Sequence, residues 1–138
     1  MRVISYRCNA ANLYEGLFGV NQESDTLVDC ILTFIEFNLE KQFTIEWLSR
    51  EYSTNRTTLM ADFKRVTGKT INEFVLDKRI DLSKQILAFT NIFIEELALK
   101  CGFSSQSYFT RAFKKKTGLS PMQFRKQAVE KRISEFQK

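Results

Sequence analysis

Apolar side chains recur at three- and four-residue steps along most of the chain after residue 24. Such steps place side chains on one face of a helix, so the pattern predicts amphipathic helices rather than strands. A first helix is expected over residues 25–40, with an apolar stripe of Leu27, Val28, Ile31, Ile35 and Leu39. Residues 1–24 show no clean period, and we expect them to form an arm with some local order.

The next stretch predicts two short helices around a polar turn. Thr44 is placed to cap the first of them, with Trp47 expected in the core. After the turn, Asn55 opens a second helix that ends at Gly68, a glycine in the position that closes helices. A longer helix is then predicted over residues 71–89.

The same arrangement returns after residue 90. Gly102 is expected to form the turn after a short helix, and Ser104 or Ser105 to cap a helix ending at Gly118. A final helix is predicted to follow, with Ser120 as its cap and proline in its first turn.

Comparing the chain with itself shows an internal repeat. The motif Phe63-Lys64-x-x-Thr67-Gly68 aligns with Phe113-Lys114-x-x-Thr117-Gly118 at an offset of 50 residues, and Leu48 aligns with Leu97 at an offset of 49. One copy therefore has one extra residue in its turn. Each copy predicts a short helix, a polar turn and a second helix that ends in basic residues. This arrangement is that of a helix-turn-helix motif, and it occurs twice in the chain. The alternative is two helix pairs that merely pack in an ordinary bundle.

These elements predict an all-α fold of about seven helices. Two helix-turn-helix subdomains, over residues 25–70 and 90–138, are joined by a linker helix over 71–89, and residues 1–24 precede them. Only one proline and five glycines occur, which disfavours a β fold with its many turns.

Charge is distributed in alternating blocks. Two basic and six acidic residues give −4 over 25–51, and four basic and one acidic give +3 over 52–69. Five basic residues and no acidic one occupy 100–118, after a stretch of −2. Two basic blocks around an acidic one indicate two places where the chain meets a polyanion.

The chemistry-bearing residues disfavour an enzyme. There is no histidine, and the three cysteines form no CxxC motif, so we expect no metal site, no cofactor and no histidine-assisted nucleophile. No apolar run is long enough to cross a bilayer and no signal peptide is evident, so a cytoplasmic location is expected. Two alternatives stay open: a nucleophilic Cys8 or Cys101, or a protein-binding role for helix 25–40 and the arm.

The second repeat carries a longer pattern, Leu97-Ala98-x3-Gly102-Phe103-x5-Phe109-x3-Phe113-Lys114-x3-Gly118-x-Ser120-Pro121-x2-Phe124-Arg125. This pattern resembles the AraC/XylS family of transcriptional regulators, and the resemblance covers about residues 25–128. In size the chain is similar to members that consist of the DNA-binding domain alone. The resemblance implies two helix-turn-helix subdomains on double-stranded DNA, and transcription activation through contact with RNA polymerase.

The resemblance also implies site residues. Those expected to read bases are Arg56, Thr57 and Met60 in the first unit and Gln106, Ser107, Thr110 and Arg111 in the second. Ala61 is expected on the same helix face as the three residues of the first unit, at a position where relatives often carry arginine. Those expected to contact phosphate are Lys64, Thr70, Asn72, Lys114, Lys115, Lys116, Ser120 and Gln123. Arg79 is expected to have a structural role, as the ion-pair partner of an acid.

Together these features predict a sequence-specific DNA-binding regulator. One helix from each unit would enter successive major-groove segments, roughly 34 Å apart, on one face of the duplex. Because the two units differ in sequence, the DNA site should be asymmetric. A monomer should be sufficient for binding, although a dimer is compatible with the sequence.

Overall fold

The computed structural model describes residues 23–137, and within that range it contains seven α-helices and no strand, which confirms the predicted fold class. The helices are α1 (Glu23–Phe37), α2 (Ile45–Glu51), α3 (Arg56–Thr67), α4 (Ile71–Phe89), α5 (Ile94–Lys100), α6 (Gln106–Thr117) and α7 (Pro121–Phe136). Helix α1 begins two residues before the predicted start and ends three residues before the predicted end. The predicted arm lies, apart from its last two residues, outside the described range, as does Cys8. No helix in the described range is both long and apolar enough to cross a membrane.

The chain forms two compact units. The first contains the described residues up to 38 together with Gln42–Val75, and the second contains Leu39–Lys41 and the residues from 76 onward. The boundary falls inside α4, so the first residues of this helix contribute to the first unit and the rest to the second. The limits predicted for the subdomains and the linker remain predictions.

The first unit has a core between α1 and α3. Val28, Ile31 and Ile35 on α1 are fully buried, as are Leu59 and Phe63 on α3. These positions recur every three or four residues, and burial of their apolar surface stabilises the unit.

Trp47 departs from the core position predicted for it. It keeps 37% of its surface exposed while its indole packs against the ring of Phe34, with ring centroids 5.3 Å apart. Its apolar character serves to cover Phe34, which is itself buried.

The second unit has an aromatic core. Phe103, Phe109 and Phe113 are buried. The ring of Phe109 packs against the other two, with its centroid 4.9 Å from that of Phe103 and 5.6 Å from that of Phe113. Leu87 of α4 and Leu97 of α5 are fully buried in the same cluster. The core therefore fixes the inner face of α6 and leaves its other face to solvent.

The sequence repeat is also a structural repeat. In the first unit, Phe63 meets Phe74 at a centroid distance of 5.5 Å and an interplanar angle of 82°. In the second, Phe113 meets Phe124 at 5.4 Å and 79°. Equal geometry at an offset of 50 residues shows that the two copies pack their second helix in the same way.

The glycines that close α3 and α6 repeat as well. Gly68 and Gly118 have φ of 80° and 81°, and each donates its N–H to a lysine carbonyl, of Lys64 or Lys114, at 2.8 Å. Both are left-handed C-caps, which glycine adopts without a steric penalty.

The two turns differ by one residue. Four residues separate α2 from α3, and five separate α5 from α6, so the second copy holds the extra residue. The second turn contains Gly102 with φ of +88°, as the sequence predicted, while the first uses Ser53 with φ of +52°.

Candidate nucleic-acid interface

Helix α3 presents one exposed face that begins and ends with a basic residue. The Asn55 side chain accepts a hydrogen bond from Thr58 N–H at 2.7 Å and so fixes where the helix begins. Leu59 and Phe63 are buried on the inner face of the helix. The residues predicted to contact DNA from this helix are all exposed, together with their neighbour on the same face: Arg56, Thr57, Met60, Ala61 and Lys64. The structure thus brings together every residue predicted on this helix.

Helix α6 repeats this arrangement. The Ser105 hydroxyl accepts a hydrogen bond from Tyr108 N–H at 3.1 Å and begins the helix. Phe109 and Phe113 anchor it from inside. The predicted residues Gln106, Ser107, Arg111 and Lys114 are exposed on one face, and Thr110 beside them is half-buried.

Arg56 has an intramolecular partner that the sequence did not reveal. Its guanidinium forms an ion pair with the carboxylate of Glu46 on α2, at 2.5 Å, and both side chains are more than half exposed. A surface pair of this kind contributes little to stability. It nevertheless neutralises Arg56 and holds its guanidinium toward α2. Glu46 lies ten residues upstream on another helix, so no local spacing signals the pair.

The lysines at the end of α6 are not equivalent. Lys114 and Lys115 are exposed, whereas the ammonium of Lys116 lies 2.8 Å from the carboxylate of Asp77 on α4. Asp77 is three-quarters buried, so this pair is better shielded from solvent than the one at Arg56. Lys116 therefore has a role within the second unit, besides the phosphate contact predicted for it.

The start of α7 suits an anion. Ser120 Oγ accepts from Gln123 N–H at 3.2 Å, and Gln123 Oε1 accepts from Ser120 N–H at 2.9 Å, a reciprocal capping box. The capping oxygens are used in this arrangement, but the hydroxyl hydrogen and the amide NH₂ are still donors. The cap therefore orients two neutral donors at the positive end of a helix dipole.

The start of α4 differs by one charge. Thr70 and Glu73 form the equivalent cap, at 3.4 and 3.2 Å, but here the partner is a carboxylate. Its negative charge opposes a phosphate at this helix start. Asn72 is exposed nearby and lines a groove that also includes Met60 and Lys64. In the first unit, Asn72 and Lys64 are thus better placed for phosphate than Thr70.

Arg79 has the structural role expected of it, and its guanidinium forms hydrogen bonds to backbone carbonyl groups. Its Nε donates to the carbonyl of Leu39 at 2.9 Å, and a terminal nitrogen donates to that of Lys41 at 2.8 Å. Burial lowers the pKa of the guanidinium, and this effect is opposed by the nearby Tyr108 and Cys101, which raise the pKa. Arg79 therefore ties the segment 39–41 to the second unit.

Cys101 lacks the properties of a nucleophile. Its side chain is fully buried beside the aromatic core, and burial raises the pKa of the thiol to about 11. At neutral pH the group is a thiol rather than the reactive thiolate. The structure thus favours a packing role for this residue over a catalytic one.

Comparison with known proteins agrees with this architecture. A family model described as a helix-turn-helix domain matches residues 48–127, more than half of the chain. The transcriptional activator RhaR of Enterobacter sp. (strain 638) is 28% identical over 103 residues, which cover 75% of this chain and 36% of RhaR. The chain therefore spans about a third of the length of the curated relatives it matches.

Solved structures show the same fold. The C-terminal domain of the two-component response regulator yesN from Fusobacterium nucleatum superposes with a TM-score of 0.68 at 28% identity, covering 75% of this chain and 99% of that domain. The DNA-binding domain of AdpA, a global transcriptional factor solved with a target DNA, gives 0.71 at 24% identity, covering 77% and 95%. The chain belongs to the AraC family of helix-turn-helix transcription regulators.

Proposed function

We propose that the chain binds double-stranded DNA sequence-specifically by inserting α3 and α6 into successive major-groove segments. The observation that carries this proposal is the structural repeat. Two units of equal helix-turn-helix geometry each expose a polar, basic-ended face on their second helix. The DNA-binding domain of AdpA, which shares the fold, was solved on its target DNA.

The two units read DNA unequally in this proposal. On α6, the amide of Gln106 matches adenine and the guanidinium of Arg111 matches guanine, each with two hydrogen bonds. On α3, Arg56 must break its ion pair with Glu46, or keep that pair while it also binds a base. Met60 offers only an apolar contact to a thymine methyl. The second unit therefore supplies most of the selectivity, with Ser107 and Thr110 beside its two main readers and Thr57 assisting Arg56. The site is asymmetric and a monomer suffices.

Phosphate contacts supply most of the affinity in this proposal. Exposed lysines at the ends of α3 and α6 follow the backbone, because a flexible point charge suits phosphate better than a base edge. Lys64, Lys114 and Lys115 act in this way. Ser120 and Gln123 donate from the start of α7, and Asn72 donates from the start of α4.

The regulatory output proposed is activation of transcription through contact with RNA polymerase. RhaR, with which the chain shares its helix-turn-helix region, is a transcriptional activator. The chain itself is a DNA-binding regulator in this proposal and not an enzyme. A reporter gene behind the preferred DNA site should rise in expression when the chain is supplied.

Arg111→Ala should weaken binding to the preferred duplex by about 1–3 kcal/mol and relax the preference at one base position. Lys115→Ala, one turn further along the same helix, is the matched control and should weaken binding to all sequences about equally. Arg56→Ala should cost less than Arg111→Ala, because Glu46 already neutralises Arg56. Affinities for a panel of single-base variants of the site measure all three effects. Equal weakening by Arg111→Ala on every sequence would contradict the assignment of this residue as a base reader.

A further inference from the structure

A groove runs along α7 in the second unit, apart from the predicted reading face of α6. It encloses about 880 Å³ between the last turns of α4, the end of α6 and one side of α7. The residues of α7 that form one wall recur at three- and four-residue steps: Phe124, Ala128, Lys131 and Glu135. This face is about 16 Å long at 1.5 Å per residue, enough for about three turns of another helix.

The floor of the groove is apolar and open. Phe89 keeps 71% of its surface exposed there, although it is a large aromatic side chain. Ala88 on α4 and Ala128 on α7 also line the groove, and small residues let a third helix approach closely. The groove thus has the shape that recognition of an amphipathic helix requires.

The rim of the groove is basic. Lys84, Lys131 and Arg132 line it together with Lys116, against a single acidic residue, Glu135. Lys116 is paired with Asp77 at 2.8 Å, and Lys84 lies 3.9 Å from the carboxylate of Asp81, so the proposal rests on Lys131 and Arg132. The Arg132 guanidinium lies 5.2 Å above the ring of Phe89, and its Nε is buried without a hydrogen-bond partner. The rim therefore supplies cations, and a guanidinium has further N–H donors that suit a carboxylate.

We propose that this groove binds an acidic amphipathic helix of a partner protein. The partner's apolar side chains would cover Phe89 and the two alanines, and its carboxylates would pair with Lys131 and Arg132. Charge complementarity selects this occupant: residues 1–22 of the chain carry two basic groups and one acidic group, so they do not match a basic rim. Phosphodiester backbone matches the charge but offers nothing for the apolar floor.

The test uses the full chain and two labelled synthetic helical peptides, each with leucine on one face. The first carries glutamate on its other face and the second carries lysine. The acidic peptide should bind at least about tenfold tighter than the basic one in fluorescence anisotropy. The double variant Lys131→Glu/Arg132→Glu should reverse this preference. Ala128→Trp, which fills the floor, should weaken both peptides by about tenfold.

Lys126→Glu is the matched control, because Lys126 is exposed on α7 but does not line the groove. It should leave peptide binding within about twofold of the parent chain. Affinity for the preferred DNA duplex, measured in parallel, should be unchanged in Ala128→Trp and should fall by no more than about threefold in the charge-reversed groove variants. Thermal melting should show each variant to be folded. The single variant Lys131→Glu serves as a second test if replacing Arg132, which packs on the ring of Phe89, unfolds α7.

Equal binding of the two peptides, or no binding of either, would overturn the proposal. Loss of DNA affinity with unchanged peptide affinity would instead make the groove a nucleic-acid surface.

Discussion

Gly102→Ala is expected to lower the free energy of unfolding by about 3–5 kcal/mol, an unusually large effect for one added methyl group. Gly102 has φ of +88°, which costs an L-residue about 1–2 kcal/mol. A Cβ there would also lie 2.0 Å from the carbonyl oxygen of Leu39 and 2.7 Å from Nε of Arg79. The methyl group would therefore displace segment 39–41 and break the hydrogen bonds of a half-buried guanidinium.

Gly118→Ala provides the matched control for this experiment. Gly118 has nearly the same backbone conformation, with φ of +81°, but nothing lies within 4 Å of a Cβ built there. Only the conformational penalty applies, so a loss of about 1 kcal/mol is expected. Urea denaturation of both variants against the parent chain measures the difference. Similar losses in the two variants would show that segment 39–41 does not press on Gly102.

Lys114→Glu/Lys115→Glu is expected to weaken DNA binding about a hundredfold, or about 2.7 kcal/mol, near 0.1 M salt. Both side chains are exposed at the end of α6, beyond its predicted base readers. Reversing them removes the two phosphate contacts proposed for these lysines and adds two repulsive charges. The slope of log affinity against log salt should also become shallower by about 2.

Lys84→Glu/Lys100→Glu makes the same change in net charge at two other sites of the second unit. Both lysines lie near acids on their own helices, Asp81 and Glu96, at 3.9 Å. Binding should weaken only by about threefold, with an almost unchanged salt slope, because long-range charge effects are screened. Equal losses in the two double variants would mean that overall charge, rather than contact by α6, governs affinity.

The parts of the fold that depend on local spacing were predictable. Apolar side chains at helical steps place Leu59, Phe63, Phe109 and Phe113 on inner faces, and all four are buried. The offset of 50 residues aligned the two copies before their geometry was known, and Gly102 is in the turn assigned to it. Burial of one helix face then dictates which residues of α3 and α6 are left exposed, so the exposed face of each helix was predictable from the same pattern. The role of these faces in reading DNA was implied by the family resemblance and remains a proposal.

Interactions between distant residues were not predictable in this way. Arg56 meets Glu46 and Lys116 meets Asp77 through long side chains on different helices, and no period in the sequence relates them. Trp47 was expected in the core from its position, but a large ring can cover a neighbour with one face and meet solvent with the other. These pairings change what the site residues can do, because they decide which cations already have a partner.

Selection from a randomised duplex pool tests whether two unequal units read one asymmetric site. The purified chain is used, and the enriched duplexes are then titrated with salt. We expect a two-part asymmetric motif that spans about two helical turns and is stronger in the half assigned to α6. Affinity for the enriched duplexes should fall steeply with salt. Enrichment of a single short motif would contradict base reading by α3. Absence of any enriched motif, with weak salt-sensitive binding alone, would contradict sequence-specific recognition by the chain.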